Sequence, residues 1–304
     1  MPSSLLHQRI LDWYADQARD LPWREPGTSP WGVLVSEVML QQTPVVRVEP
    51  VWRQWMSRWP SPAALAASSS GDAVRAWGRL GYPRRALRLH AAATVIVDQH
   101  SGRVPDDHEA LLALPGVGSY TAAAVASFAF GLRQTVVDTN VRRVLARAVT
   151  GSGQAAPSLT LAETSLATSV LPADARTARS WNVAVMELGA LVCISTSPRC
   201  PDCPVQDLCA WQQAGQPAYE GPVGRTQAWH GTDRQARGSL MAVLRDATGP
   251  VTAARLADAW SDDPAQCARC LDSLVADGLV EPLSRHRFQL PGSGEARPHP
   301  GEAG

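Results

Sequence analysis

Leu114-Pro115-Gly116-Val117-Gly118 is the stretch that decides the fold, because it joins two helical patterns, at about 107–113 and 119–130, through a turn with two glycines. Glycine permits tight turns and a close approach of the backbone to a partner. The second helix is expected to begin at Ser119, where free N–H groups and the helix dipole favour an anion such as a DNA phosphate. A simple helix-to-helix turn explains the same pattern, so the stretch alone leaves both interpretations open.

Outward from this turn, residues 1–210 have apolar positions at helical spacing and no sustained strand alternation, which predicts a mostly all-α fold. Turn signals rich in Gly, Pro and Ser separate the helical segments. The predicted helices lie near 4–18, 31–42, 44–58, 86–99, 121–130, 139–149, 159–170 and 180–193.

A second pattern follows a predicted linker at 211–233, which is rich in Gly, Pro, Gln and Thr. In residues 234–290, three helices (about 234–246, 252–260 and one after Pro264) precede a small hairpin, which predicts a winged-helix-like module. The tail, residues 291–304, is predicted to be disordered.

Composition bounds the function without deciding it. The net charge is zero, which argues mildly against a nucleic-acid partner, although local clusters matter more than the average. No stretch approaches the roughly 20 apolar residues of a membrane span, and the first nine residues lack a signal pattern, so we expect a cytoplasmic protein. The basic clusters are Arg84, Arg85 and Arg88, and Arg142, Arg143 and Arg147.

The sequence contains no lysine, so all 28 Lys+Arg residues are arginine. A genome rich in G and C would explain this bias. Whatever its origin, no side chain can form a Schiff base with an opened sugar, and the N-terminal amine is the only primary amine.

Four cysteines are spaced C-x6-C-x2-C-x5-C, at Cys193, Cys200, Cys203 and Cys209. A disulfide pair is not expected in the cytoplasm, so this spacing predicts a metal site. Both a tetrahedral zinc and a [4Fe-4S] cluster accept four thiolates, and the spacing alone leaves both open.

Two carboxylates stand in opposed environments. Glu37 lies on a very apolar helical segment, where desolvation should raise its pKa and let it donate a proton, unless it pairs with a core arginine. Asp138 precedes a helix as its N-cap, where N–H groups should keep its pKa low, and a cap alone explains it locally. Together, one neutral and one ionised acid form the pattern that breaks a glycosidic bond.

Six separated motifs and the cysteine spacing resemble the adenine-specific mismatch glycosylases (the MutY family) of the helix-hairpin-helix DNA glycosylase superfamily, over roughly residues 8–212. The motifs are Leu21 to Arg24, Ser36 to Thr43, Leu80 to Tyr82, Leu114 to Gly118, Val137 to Arg143 and Met186 to Ala190. The resemblance implies a two-lobed helical glycosylase domain over residues 1–210, with a [4Fe-4S] loop at 193–209 rather than zinc.

The resemblance also implies roles for single residues. Glu37 would protonate adenine, and Asp138, positioned by Asn140, would face the sugar. Gln42 and Tyr82 would wedge into the base stack, next to Leu80, near the opposite base. Trp23 and Arg24 would line the adenine pocket, and Leu114, Gly116 and Gly118 would form the phosphate-gripping hairpin.

The substrate implied is double-stranded DNA with adenine opposite 8-oxoguanine or guanine, bound by a monomer that flips the adenine out of the duplex. Tyr120 stands where the strand-cleaving branch of the superfamily has lysine, so a monofunctional enzyme using water is expected. The sequence departs from the family at Val183, where a polar residue is usual. It also departs after residue 233, where too few residues remain for the usual Nudix-like domain.

Two other readings remain open from the sequence. A thymine/uracil mismatch glycosylase of the same superfamily can also carry tyrosine at the Tyr120 position. A non-catalytic iron-sulfur DNA-binding regulator would use Glu37 as a core pair and Asp138 as a cap.

Overall fold

The computed structural model describes residues 3–221 and 229–293, and this part of the chain is mostly helical, as the sequence predicts. None of the described helices is both long and apolar enough to span a bilayer. The helices are α1 Ser3–Gln17, α2 Pro30–Leu40, α3 Val45–Arg58, α4 Pro62–Ala66, α5 Ser70–Trp77, α6 Arg84–His100, α7 His108–Ala113, α8 Ser119–Phe128, α9 Thr139–Leu145, α10 Leu161–Ser169, α11 Ala175–Leu191, α12 Ala210–Gln213, α13 Asp233–Asp246, α14 Ala253–Asp258 and α15 Pro264–Ala276. The strands are β1 Val251–Thr252, β2 Glu281–Leu283 and β3 Arg287–Gln289.

Contacts divide the chain into two compact units, and each unit combines segments that are distant in sequence. The first unit comprises residues 1–33, 106–113 and 117–225. The second comprises residues 34–105, 114–116 and 226–304.

The core of the first unit lies where α1 and α9 pack on α11. Leu6 and Ile10 are one turn apart on α1, and both are buried. Trp181, Val185 and Leu188 recur at i, i+4 and i+7 on α11, which places them on one face of that helix. This spacing is the one from which the helices were predicted, and burial of such a stripe holds α9 and its first residues in place.

Tryptophans dominate the core of the second unit. The ring of Trp55 on α3 lies edge-on to Trp59 and Trp77, with centroid separations of 4.9 and 5.5 Å. Such edge-to-face pairs contribute about 0.5–1.5 kcal/mol each beyond the burial of apolar area. Leu89 and Ile96 on α6 are also buried, so the turn between α5 and α6 leads into a helix that is packed in this core.

The last part of the second unit consists of α13, α14, α15 and a three-stranded antiparallel sheet in the order β1-β3-β2. Val251 and Pro282 both pair with Phe288 of the central strand. Two contacts join these elements to α5: Gly71 donates its backbone N–H to Pro291 O at 2.8 Å, and Arg75 donates to the carbonyls of Arg245 and Ala247 at the end of α13.

The helices and hairpin predicted for residues 234–290 therefore occur close to their expected bounds. Helix α12 occupies the first residues of the segment predicted to be a linker. Residues 222–228 of that segment, and residues 294–304 of the predicted disordered tail, lie outside the described residues.

Candidate active site

Asp138 is the N-cap of α9, as the sequence predicts. Its backbone is extended (φ −98°, ψ −177°), and its Oδ1 accepts a hydrogen bond from the N–H of Val141 at 2.7 Å. Its other oxygen, Oδ2, accepts from the side-chain amide of Asn140 at 2.7 Å. Both oxygens are thus held by donors, which fixes the plane of the carboxyl group.

The side-chain amide of Asn140 is itself oriented by Arg143. Arg143 donates to Asn140 Oδ1 at 2.7 Å, and because a guanidinium has no acceptor, the NH2 of Asn140 must face Asp138. Arg143 also donates to the carbonyls of Gly189 and Cys193. A Cβ on Gly189 would lie 2.6 Å from the Cβ of Asn140, so α11 approaches α9 closely here because residue 189 has no side chain.

The expectation of a low pKa for Asp138 was wrong. Burial raises the pKa of Asp138 above its ordinary value, and the donors from Val141 and Asn140 offset this only in part. The sequence showed the capping position but not how deeply the carboxyl group is buried, and desolvation of the charged form outweighs the cap.

Glu37 lies on α2 within the second unit, whereas Asp138 lies in the first. The side chain of Glu37 is almost wholly buried, at 5% exposure, and its neighbours Leu34, Val38 and Met39 on the same helix are buried apolar residues. The carboxyl group of Glu37 is therefore largely desolvated, as the apolar segment predicts. Its role as a proton donor stays a prediction.

Trp23 and Arg24 form a single helical turn after Leu21, and Trp23 is buried. Arg24 donates to Glu187 Oε2 at 2.9 Å, and Arg19 donates to both oxygens of Glu187 at 2.7 and 2.8 Å. Burial of Glu187 would raise its pKa, but the hydrogen bonds from Arg19 and Arg24 outweigh burial and lower that pKa to about 2. Glu187 is therefore an anion that fixes the side chain of Arg24.

The second guanidinium nitrogen of Arg24, Nη1, is different. It is buried, and no described residue accepts a hydrogen bond from it. A buried donor without a partner costs about 1–3 kcal/mol, so this nitrogen marks a position where an acceptor from outside the protein would be stabilised.

Gln42 and Tyr82 both have left-handed backbones, with φ of 55° and 48°. Such conformations cost a non-glycine residue roughly 1–2 kcal/mol and are typical of functional sites. Both side chains are exposed, Tyr82 at 47%, while Leu80 beside them is buried. The side chains of Gln42 and Tyr82 are thus exposed on strained backbone next to a buried residue, Leu80.

Arg85 on α6 is buried and donates hydrogen bonds to the turn that contains Gln42 and to the turn that contains Tyr82. It donates to the carbonyl of Val38 at 3.0 Å near the end of α2, to Thr43 Oγ1 at 2.9 Å and to the carbonyl of Gly81 at 3.0 Å. Its guanidinium also lies 5.5 Å from the ring centroid of Tyr82. Burial lowers the pKa of Arg85 to about 10, which leaves it charged near neutral pH.

The two glycines of the hairpin have different roles. Gly116 has a positive φ of 80°, and a Cβ there would lie 2.7 Å from the Cβ of Arg88. Gly118 has an extended backbone, caps α8, and a Cβ there would meet nothing within 4 Å. Leu114 is buried beneath the turn. The protein requires glycine at 116, whereas the space over Gly118 is open.

Tyr120, on the first turn of α8, is half-buried and packs against Ala123, Ala124 and Val136. Its ring is therefore a packing element of the first unit. No amine takes that place, since the sequence contains no lysine.

The four cysteines of the C-x6-C-x2-C-x5-C pattern line one small cavity of about 20 Å³ in the first unit. Among the described residues, no three His, Cys, Asp or Glu side chains converge closely enough to hold a single metal ion. Burial, together with the neighbouring thiols, raises the pKa of Cys203 to about 11, so four thiolates here need a cationic centre. Arg147 supports the loop through the carbonyls of Ile194 and Ser195.

One of the basic clusters expected from the sequence is structural. Arg142 pairs with Glu163 at 2.8 Å, and Arg143 and Arg147 donate to backbone carbonyls of the cysteine loop. In the other cluster Arg85 is internal, while Arg84 and Arg88 are exposed. Runs of arginine in sequence do not by themselves show which guanidinium groups are left over for a partner.

Comparisons with known proteins identify the family to which this chain belongs. The model of the HhH-GPD superfamily of base excision DNA repair proteins matches residues 35–167, which include Glu37, Gly116 and Asp138. An adenine DNA glycosylase of Mycobacterium tuberculosis is 55% identical over 294 residues, covering 96% of each chain. This protein belongs to the adenine DNA glycosylase family.

A match of that length includes the C-terminal helices, so this adenine DNA glycosylase family member shares them with the relative. A thymine/uracil-DNA glycosylase of Pyrobaculum aerophilum is 35% identical over 67% of this chain and 90% of its own length. The solved structure of a thermostable thymine-DNA glycosylase matches with a TM-score of 0.63 at 28% identity, covering 70% of this chain and 97% of that one.

Sequence reasoning missed three residues around the site of this adenine DNA glycosylase family member. Arg19 and Glu187 fix Arg24, and Arg85 fixes the turns at Gln42 and Tyr82. A signal existed for Glu187, since it is an acid on an apolar helix like Glu37. No signal distinguished Arg85 from its neighbours.

Proposed function

We propose that this protein hydrolyses the glycosidic bond of adenine mispaired with 8-oxoguanine or guanine in double-stranded DNA, acting as a monomer. One observation carries the proposal: in a member of the adenine DNA glycosylase family, Asp138 is half-buried, with both oxygens held by donors from Val141 and Asn140. A carboxylate so fixed can stabilise an oxocarbenium-like sugar without moving.

The chemistry follows from the groups present. The adenine must leave the base stack, because its glycosidic bond cannot be reached inside a duplex. Glu37 protonates the leaving base, and Asp138 stabilises the cationic sugar or briefly bonds to it. Water is the final nucleophile, since no lysine is available to form a Schiff base.

Arg24 fits a role in the adenine pocket beside Trp23. Glu187 holds one side of its guanidinium, and Nη1 is left without a protein acceptor among the described residues. The ring nitrogens of adenine are acceptors, so an adenine hydrogen-bonded to Nη1 would satisfy this buried donor.

Single-turnover base release tests the function. The duplexes carry adenine opposite 8-oxoguanine, adenine opposite guanine, or thymine or uracil opposite guanine, and products are analysed with and without alkali. We expect adenine release, with strand breaks only after alkali, and its loss in Glu37→Gln and Asp138→Asn. Binding of all duplexes without release of any base would refute the proposal.

A second candidate is removal of thymine or uracil opposite guanine. It is favoured by the 35% identical relative that bears the name thymine/uracil-DNA glycosylase. The same assay separates the two, because this candidate requires release of a pyrimidine. Membership of an enzyme family removes the reason to consider a non-catalytic regulator.

We further propose that Cys193, Cys200, Cys203 and Cys209 hold a [4Fe-4S] cluster. Their thiols line one cavity, and the family resemblance implies a cluster rather than zinc. When bound, the cluster would staple the loop at 193–209. Iron and acid-labile sulfide in equal amounts, lost in Cys200→Ser, are expected; zinc in place of iron would refute the assignment.

Residues 234–290 are proposed to be a winged-helix-like module appended to a glycosylase domain at 1–210. Three helices and a three-stranded sheet support this description.

A further inference from the structure

The second unit contains a cleft of about 1090 Å³ between α13 and the turn that joins α5 to α6. This volume exceeds the roughly 300–1,000 Å³ of typical small-molecule pockets. Eight arginines are among the residues that line it, and no described lining residue is Asp or Glu. Its size and charge fit an extended polyanion.

Several of these arginines have no charged partner in the described protein. Arg84 and Arg237 share Asp277, and Arg85 donates through Nη1 to the carbonyl of Val38 inside the unit. By contrast, Arg79 and Arg234 are exposed and form no ion pair with a described residue. These two cations stand on opposite walls of the cleft, one from each sequence segment.

Arg245 adds a half-buried cation to the α13 wall. Burial lowers the pKa of Arg245, and the charge of Arg79 lowers it further, although Asp246 acts in the opposite direction. Two like charges facing one space repel each other until an anion enters between them.

Arg234 lies 5.2 Å from the ring centroid of Tyr82 and 5.4 Å from that of Trp229. Two aromatic contacts restrain the position of the guanidinium, and Arg234 lines the cleft. The planar fork of arginine is suited to bidentate binding of phosphate oxygens.

The walls are held by specific contacts, so the cleft is a fixed part of the unit. Arg75 on α5 donates to the carbonyl of Ala247 at 2.8 Å, beyond the end of α13. A Cβ on Gly71 would lie 2.5 Å from the carbonyl oxygen of Pro291, so α5 meets the segment after β3 without a gap.

We infer that this cleft binds backbone phosphates of the DNA strand opposite the flipped adenine, with α13 of the C-terminal module as one wall. The inference rests on the proposed function and on the family resemblance, which implies that Gln42 and Tyr82 enter the stack beside the opposite base. Both residues line the cleft, so the strand that passes them continues towards Arg79, Arg234 and Arg245.

The salt dependence of binding tests this inference. The probe is a duplex with 2′-fluoro-2′-deoxyadenosine opposite 8-oxoguanine, because the fluorine prevents base release during the measurement. Arg79→Gln and Arg234→Gln change exposed residues and should fold, and Arg245→Gln adds the half-buried one. Arg255→Gln is the matched control, since Arg255 is an exposed arginine of the same module outside the cleft.

We expect each cleft variant to reduce the slope of log K against log salt concentration by about one. The control should keep the wild-type slope, and its base release at saturating protein should stay within about twofold of wild type. Phosphate ethylation interference should disappear from the strand opposite adenine in the cleft variants only.

An unchanged slope in the cleft variants would overturn the inference. Loss of interference on the adenine strand, or loss of preference for 8-oxoguanine with an unchanged slope, would also overturn it. Absence of base release by the wild-type protein would refute the proposed function instead, and the two failures are therefore distinguishable.

Discussion

At the scale of single residues, Asn140 connects the carboxyl group of Asp138 to the body of the protein. Its NH2 donates to Asp138, and its oxygen accepts from Arg143, which in turn holds carbonyls of α11 and the cysteine loop. A chain of three polar side chains thus orients one carboxyl group. The energetic cost of burying these groups is acceptable because each one has a partner.

Asn140→Asp should slow base release at least about tenfold. The substitution preserves shape but places a second carboxylate against Asp138, which raises the pKa of Asp138 further; one unit is ~1.4 kcal/mol, or tenfold. Because the ionised form is required, activity is lost as pH falls through this pKa. The acidic limb of the single-turnover rate against pH should therefore move to higher pH.

The control is Asn182→Asp, another buried asparagine of the same unit, which donates to the carbonyl of Gln134. It should lose stability without moving the acidic limb. If the acidic limb of the rate profile of Asn140→Asp stayed at the wild-type pH, this would show that Asn140 does not position Asp138.

Glu187→Gln should destabilise the protein by about 3 kcal/mol near neutral pH, since it leaves two arginines without their anion. The pKa of Glu187 is lowered from 4.5 to about 2, so its stabilisation is present above 4.5 and is lost as pH falls towards 2. Urea unfolding of both proteins across this range measures the difference, which should shrink with acidity.

Glu49→Gln is the comparison, because Glu49 forms only a surface pair with Arg53 at 3.0 Å. Its effect should stay below about 1 kcal/mol at every pH. A pH-independent difference for Glu187→Gln would contradict the ionised state assigned to this residue.

At the scale of secondary-structure elements, the turns after α2 and α5 carry strain. Gln42→Gly should leave the free energy of unfolding unchanged or raise it by up to about 1 kcal/mol, because glycine tolerates a φ of 55°. It should slow single-turnover release of adenine about tenfold or more, since the side chain that is proposed to enter the base stack is lost.

Ser101→Gly is matched to it. Ser101 caps α6 with a φ of 53°, so it has the same strain with no proposed role in DNA binding. Stability should respond similarly, and base release should not change. Equal activity in both variants would exclude Gln42 from the wedge.

The elements also show what the sequence predicts and what it omits. The long helices were predicted because apolar stripes such as Trp181, Val185 and Leu188 repeat at helical spacing. Helices α4 and α5 were missed, because Pro60-Ser61-Pro62 was interpreted as a turn. In the structure Ser61 caps α4 and Pro62 begins it, and a helix of five residues is too short to show periodicity.

Site residues divide in a similar way. Asp138 and the cysteines were predicted from local chemistry, since a cap and a thiol spacing are visible in the sequence. The buried role of Arg85 and the pairing of Arg19 with Glu187 depend on contacts between residues far apart in the chain. No local pattern records such contacts.

At the scale of the whole molecule, the sequence contains no lysine, so the proposed reaction has no side-chain amine to form a Schiff base. Borohydride should trap no covalent complex with DNA in the wild-type protein. In Tyr120→Lys, which places an amine at the position used by the strand-cleaving branch, we expect trapping and strand breaks without alkali. Denaturing electrophoresis resolves both products.

The control for this prediction is Leu161→Lys, since Leu161 is the first residue of α10 and 87% exposed. It should remain untrapped. Trapping of the wild-type protein would point to the N-terminal amine and would refute a monofunctional mechanism.

The hydrogen bond between Gly71 and Pro291 joins residues that leave the ribosome far apart in time. At about 5–20 residues per second, the partner of α5 emerges on the order of tens of seconds after α5 itself. During synthesis, the nascent chain therefore carries a half-built second unit with an uncovered face. A chain that ended shortly before residue 291 would contain Glu37 and Asp138 but would lack the carbonyl that pairs with α5.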